Sequence, residues 1–271
     1  MLDIYGLQGF SVIAGGDTNT THGRHATIAG GKKNIAKTMA FVGGGKSNYA
    51  NGDNSAIAGG FENEANGTYS MIPGGFKNKI NSNALTAFAA GNNAHADHQC
   101  SFVWSDCCPS PHTIFSSQGD NTFNARAIGG FHLYTACDLS TGAILTSGAS
   151  DWNVFSSPEI KRNIRPVDGG EILRKLATLP LYKWSYKTQD PSIEHISPMA
   201  PDFHELFQVG ENDKMISTID PAGIALAAIK ELYLIQQRLN EELEKVKDLE
   251  KKLDELEILK QELAEIKEQL K

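Results

Sequence analysis

The stretch "SAIAGGFENEANGTYSMIPGGFKNKIN", residues 55–81, says one thing twice: a small residue, Ile two positions on, a Gly-Gly pair, an aromatic ring, then Asn. Counted from the first glycine of each pair, the pattern recurs at Gly15, Gly30, Gly44, Gly59 and Gly74. A degenerate sixth copy stands at Ala90-Gly91, and the period is 14 to 16 residues. Other columns hold the same phase, which separates a structural repeat from a glycine-rich linker. Two positions before the pair stand Ile13, Ile28, Val42, Ile57, Ile72 and Phe88, and four before it Ser11, Ala26, Ala40, Ser55, Ser70 and Thr86. Four positions after the first glycine come Asn19, Asn34, Asn48, Asn63 and Asn78, followed two further on by Thr21, Ala36, Ala50, Ala65 and Ile80.

A period near 15 is too short for two helices, and the alternation on either side of each pair is that of strands. Glycine permits positive φ at tight corners. Each copy therefore reads as one coil of two short strands and two turns. Six coils about 4.8 Å apart make a column of roughly 30 Å. The small and β-branched columns are expected to line the interior, and the asparagines to bond from turn to turn as a ladder. A thin column buries little by itself, so several chains are expected to share one core.

Composition changes along the chain. Of the 26 glycines, 17 lie in the first 99 residues, whereas the C-terminal stretch is dominated by Glu, Lys and Leu. The net charge is -7, and residues 1–99 carry seven Lys/Arg against six Asp/Glu, so no basic groove for nucleic acid is expected. No apolar run reaches the length of a membrane span. The start, "MLDIYGLQGFSV", shows no secretion signal. Cys100, Cys107, Cys108 and Cys137 are too few and too irregular for a disulfide framework and read as unpaired thiols.

Two motifs invite chemistry that their context denies. "VGGGKS" at 42–47 has Ala40 where a phosphate-binding loop needs its first glycine, and a turn follows instead of a helix. His95, Asp97, His98, Cys100, Cys107 and Cys108 offer nitrogen and sulfur, but their spacing matches no recurring zinc pattern. No metal and no cofactor are expected, and His204 in "DFHELFQ" lacks the second histidine of a zinc-protease helix.

The repeats resemble the left-handed parallel β-roll heads of trimeric autotransporter adhesins, and "FAAGNNAHADHQCSFVWSD" at 88–106 resembles the segment that ends such repeats in fibre-like proteins. Further on, "SSPEIKRNI" at 156–164, "PMAPDFH" at 198–204 and "STIDPAGIALAAIKEL" at 217–232 resemble the peptidase S74 family, the intramolecular chaperone domains of phage tailspikes and tail fibres. That resemblance implies a nucleophile at Ser156, a base at Lys161 and a scissile bond between Phe155 and Ser156. The chemistry is reasonable, since a serine hydroxyl needs a base and lysine serves as one when burial or a neighbouring cation lowers its pKa. Arg162 and Arg165 are near in sequence. Position 157 is Ser where the family motif has Asp, so the aspartate's part in holding the site is expected to be lost.

From Leu232 onward, Ile235, Leu239, Leu243, Val246, Leu249, Leu253, Leu256, Leu259, Leu263, Ile266 and Leu270 follow spacings of three and four, a coiled-coil seam. The expected architecture is mainly β, then α/β, then α. It comprises a β-roll head over 1–106, an intertwined β neck over 107–155, an S74-like chaperone domain over 156–235 and a coiled coil over 236–271, assembled as a homotrimer. The expected function is a structural fibre or tail-fibre-like protein whose chaperone domain drives assembly, with self-cleavage before Ser156 as its one reaction. The alternative is a surface adhesin that meets a host receptor or glycan through exposed side chains such as Phe61 and Phe76. Either places the protein at a cell surface, outside the cell or on a virion, with its own copies as partners, no nucleic acid and no membrane span.

Overall fold

The computed structural model describes residues 3–4, 9–108 and 113–269. It divides into two compact units, Met1–Lys161 and Arg162–Lys271. The first unit is a parallel β-solenoid. Strands of two residues alternate between two sheets, one of eight strands and one of nine, and consecutive members of each sheet come from consecutive coils. Val12, Thr27, Phe41, Ala56 and Met71 stand in one register column, as do Thr20, Ile35, Tyr49, Glu64 and Lys79 on the opposite sheet.

Each coil fills its own interior. Ile28, Val42, Ile57, Ile72 and Ile80 are wholly buried, together with Ala36, Ala50 and Ala65. These side chains, buried within the single chain, already fill each coil, where the sequence led to the expectation of a core shared between chains.

Asn19, Asn34, Asn48, Asn63 and Asn78 are also wholly buried, and hydrogen bonding accounts for it. Asn48 Nδ2 donates to Gly44 O in its own coil at 3.0 Å and to Gly60 O in the next at 2.9 Å, while its Oδ1 accepts from Asn63 N at 3.1 Å. The other four repeat this scheme, and the ladder ends where Ala94 N donates to Asn78 Oδ1.

The two glycines of each pair differ. At Gly45 φ is +81° and an added Cβ would overlap Gly60 O while standing 2.7 Å from Asn48 Nδ2; at Gly44 an added Cβ meets nothing within 4 Å. The steric need thus falls on the second glycine, while both supply carbonyls to the asparagine ladder. Other corners are turned by residues with side chains, among them Lys33, Ser47, Glu62 and Lys77, each with φ between 54 and 58°.

The sixth coil is shifted by one position relative to the glycine register. Met71 pairs with Phe88, yet Gly75 pairs with Gly91, so Ala89 and Ala87 take the interior sites and Phe88 turns outward. Beyond the glycine repeats the ladder continues through Phe102–Ser105 to Phe123–Arg126. Here Phe88, Phe102 and Phe123 stack with ring centroids 4.6 and 4.5 Å apart. Arg126, half-buried, closes this end by bonding Asp106 Oδ1 at 3.1 Å and Ser105 Oγ at 2.7 Å.

The outer faces contrast. One sheet presents Glu64, Lys79 and His95 in one column, with Lys37 and Asp97 beside it. The other presents Val12, Thr27, Phe41, Ala56, Met71, Phe88, Phe102 and Phe123, flanked by Ala14, Ala29, Gly43, Ala58, Pro73, Ala90, Trp104 and Ala125, without a single charge.

After the solenoid, strands Gly130–Tyr134, Gly142–Thr146 and Asn153–Val154 form an antiparallel sheet within one chain. In the second unit, α1 (Gly169–Thr178) begins at Asp168, whose side chain accepts from Glu171 N at 3.0 Å. A hairpin of Tyr182–Trp184 and His195–Ser197 leads to α2 (Ala200–Phe207) and then α3 (Ile219–Gln269). Phe203, Phe207 and Ile224 form a small core with Ile172, Leu176 and Leu206 packed against it. On α3 the seam residues Leu239, Leu243, Val246, Leu249, Leu253, Leu256, Leu259, Leu263 and Ile266 are 47–63% exposed; Leu270 lies outside the described residues. Among the described residues no helix is long and apolar enough to cross a membrane.

Two stability measurements follow. Gly45→Ala is expected to cost about 3 kcal/mol or more in urea unfolding, because the strain has a named backbone cause, whereas Gly44→Ala stays within about 0.5 kcal/mol. Ser55 Oγ is buried with no hydrogen-bond partner among the described residues, in the column where Ala26 and Ala40 also stand. Ser55→Ala is therefore expected to stabilise the solenoid by about 1 kcal/mol, read from the same unfolding curve.

Candidate functional site

The residues around position 156 are held by local structure on both sides. Upstream, the strand Asn153–Val154 pairs with Ala143 and Ile144, which fixes the chain up to Val154. Phe155 follows at once, 37% exposed, its ring 6.1 Å from that of Tyr134 in the far strand of the same three-stranded sheet. His132, in the same strand as Tyr134, has its ring 6.2 Å from the tyrosine's.

Downstream, Pro158–Ile160 form one turn of 3-10 helix with Ser157 as its N-cap. Proline suits the first helical position because its φ is already set and no N–H is needed there. The turn carries Lys161 back, and its Nζ donates to Ser156 Oγ at 2.6 Å. Ser156 and Lys161, five residues apart, are thus brought into direct contact within the first unit.

Such a pair has the makings of a nucleophile and base: a hydroxyl oxygen in direct contact with an amine. Both side chains are exposed in the single chain, as is everything from Asp151 to Asp168. An amine works as a base only when uncharged, a state favoured by loss of water or by a nearby cation. Arg162 and Arg165 belong to the second unit.

Ser157 Oγ accepts from Glu159 N at 3.3 Å, so the position next to Ser156 carries an acceptor oxygen that caps the turn. The signal was present in sequence as Ser followed by Pro, the usual N-cap and N1 pair. Tyr134 had no such signal, because only the folded sheet brings it to Phe155.

The cluster of nitrogen and sulfur residues near position 100 is otherwise engaged. His98 Nδ1 meets Ser117 Oγ at 2.7 Å, Cys100 Sγ meets Thr86 Oγ1 at 3.0 Å, and Asp97 accepts from Asn81. Burial pushes the His95 imidazole below its ordinary pKa against an opposing pull from Asp97. Among the described residues no three His, Cys, Asp or Glu side chains gather as a metal site. The four cysteines are free. Phe61 and Phe76 do meet, with centroids 5.7 Å apart; Lys46 lies over the first ring and Lys77 over the second.

No curated protein matches the chain. Residues 156–209 match the Peptidase_S74 family model, described as the chaperone of endosialidase, and the match begins at Ser156 itself. Preceded in the chain by a parallel β-solenoid and followed by a long helix, this segment is similar to that chaperone family, and the order of elements fits a tail-fibre-like protein with a C-terminal chaperone domain.

Proposed function

We propose that the protein is a homotrimeric structural fibre, outside the cell or on a virion, whose C-terminal part gathers three chains and brings their solenoids into register. The observation that carries this reading is the match of residues 156–209 to a chaperone family. Two apolar surfaces left open in the single chain agree with it, the seam of α3 and the charge-free face of the solenoid. Eight strands about 4.8 Å apart make that face about 34 Å tall. Long-range parallel pairing is slow and leaves strand edges open to mispairing. Holding three copies by a coiled coil over 236–271 raises their local concentration before the coils stack.

The chaperone part, on this reading, is released by a cut between Phe155 and Ser156. The Ser156 hydroxyl adds to the Phe155 carbonyl carbon as Lys161 takes its proton. The C–N bond then breaks while Lys161 returns the proton to the departing Ser156 nitrogen, leaving an ester. Water hydrolyses that ester to a Phe155 carboxylate and restores the Ser156 hydroxyl beside a new amino terminus. The cut product is kept assembled by its unfolding barrier.

A second reading, a receptor-binding surface, rests on the Phe61–Phe76 stack flanked by Lys46 and Lys77. Binding to a glycan array that is lost in Phe61→Ala would favour it.

Native mass spectrometry is expected to give three times the 29.4 kDa chain mass, or three times its large fragment. A monomer refutes the assembly reading. Met71→Glu, on the charge-free face, is expected to weaken the trimer, whereas Lys37→Glu on the other sheet leaves it unchanged. On a denaturing gel the wild-type chain is expected to split near residue 155 and Ser156→Ala to run as one band; an intact wild-type chain rules out self-cleavage.

A further inference from the structure

Ser156 and Lys161 are too far apart to touch unless the chain between them turns. Five extended residues span about 16 Å, whereas a 3-10 turn advances about 2 Å per residue. Only the turned form puts the lysine amine on the serine hydroxyl.

The hydrogen bonds that hold this turn are few. Ile160 N donates to Ser157 O at 3.3 Å, Glu159 N to Ser157 Oγ at 3.3 Å and Lys161 N to Pro158 O at 3.1 Å. Two of these three end on Ser157. No residue of the turn is buried, so packing within the chain does little to replace them. Ser157 has φ −66° and ψ 142°, the extended conformation that a following proline favours and that an N-cap requires.

We infer that Ser157 is a positioning residue for the cut: its two oxygens close the turn that delivers the Lys161 amine to the Ser156 hydroxyl. This rests on the reading that the Ser156–Lys161 pair cuts the bond before Ser156. Ser157 itself exchanges no proton and makes no bond in the reaction. Any short side chain with an acceptor oxygen serves at this position, Asp included.

The test compares the full chain as wild type, Ser157→Ala and Ser157→Asp. Cutting is followed by gel densitometry from the start of refolding, and circular dichroism checks that the fold is unchanged. Ser157→Ala is expected to slow cutting by roughly two- to thirtyfold, the range that corresponds to a lost N-cap, while Ser157→Asp stays within about threefold of wild type. A second readout does not depend on cutting: acylation of Lys161 by an amine-reactive ester, measured by peptide mass spectrometry against Lys260 on α3. Loss of the cap frees the amine from Ser156, so Lys161 labelling is expected to rise severalfold in Ser157→Ala and stay at the wild-type level in Ser157→Asp.

Equal cutting rates in wild type and Ser157→Ala overturn the positioning role and leave self-cleavage standing. Slower cutting that Asp does not rescue also overturns it, because a general structural defect explains that result. A wild-type chain that stays whole overturns self-cleavage and with it any role for Ser157 in a reaction. The labelling then decides whether Ser157 sets the Ser156–Lys161 contact, and equal labelling overturns that as well.

Discussion

The solenoid depends on one buried side chain per coil. An asparagine amide offers two donors and an acceptor, and in this fold all three are used between neighbouring turns: two carbonyls accept from Nδ2, and Oδ1 accepts from the backbone above. Burying an amide without partners costs more than the hydrophobic effect of a neighbouring isoleucine returns. The satisfied ladder therefore selects one stacking register. A slip by one residue would orphan every amide at once and turn the isoleucines outward.

That geometry explains which parts were legible in the sequence. The columns at Asn48, Ile57 and Ala65 kept phase because each occupies the same place in successive coils, so the coil, its strands and the ladder could be read directly. The roles of the two glycines could not be separated from identity alone, since Gly44 and Gly45 differ in backbone φ and in what the next coil brings near them. The shift at the sixth coil was hidden for a similar reason. Phe88 fits the apolar column by type, and only the pairing of Met71 with it reveals that Ala89 is the inward residue. The coils at Phe102 and Phe123 lack glycine pairs altogether, so no repeat announces them.

The candidate site divides in the same way. Ser156 and Lys161 came from a local motif, and a local turn is enough to join them. Tyr134 lies 21 positions before Phe155 and reaches it through two strand pairings, a relation that local spacing does not encode. The cap that Ser157 makes is, by contrast, local, since Ser before Pro is an N-cap and N1 pair that sequence alone displays. Assembly has the same character: the seam on α3 and the uncharged solenoid face are patterns of omission, legible as surfaces that lack what water-facing residues usually carry.

The asparagine ladder stops at Asn78, whose Oδ1 still holds Ala94, and stacked phenylalanine rings accompany the coils that follow. The column is thus mechanically graded. Tension applied from its C-terminal side would first meet coils pinned singly, by Asn124 on Phe102 O and by Arg126 on Asp106, and only then the continuous ladder of amides. A column built this way resists separation of its coils most strongly along the stretch from Asn19 to Asn78.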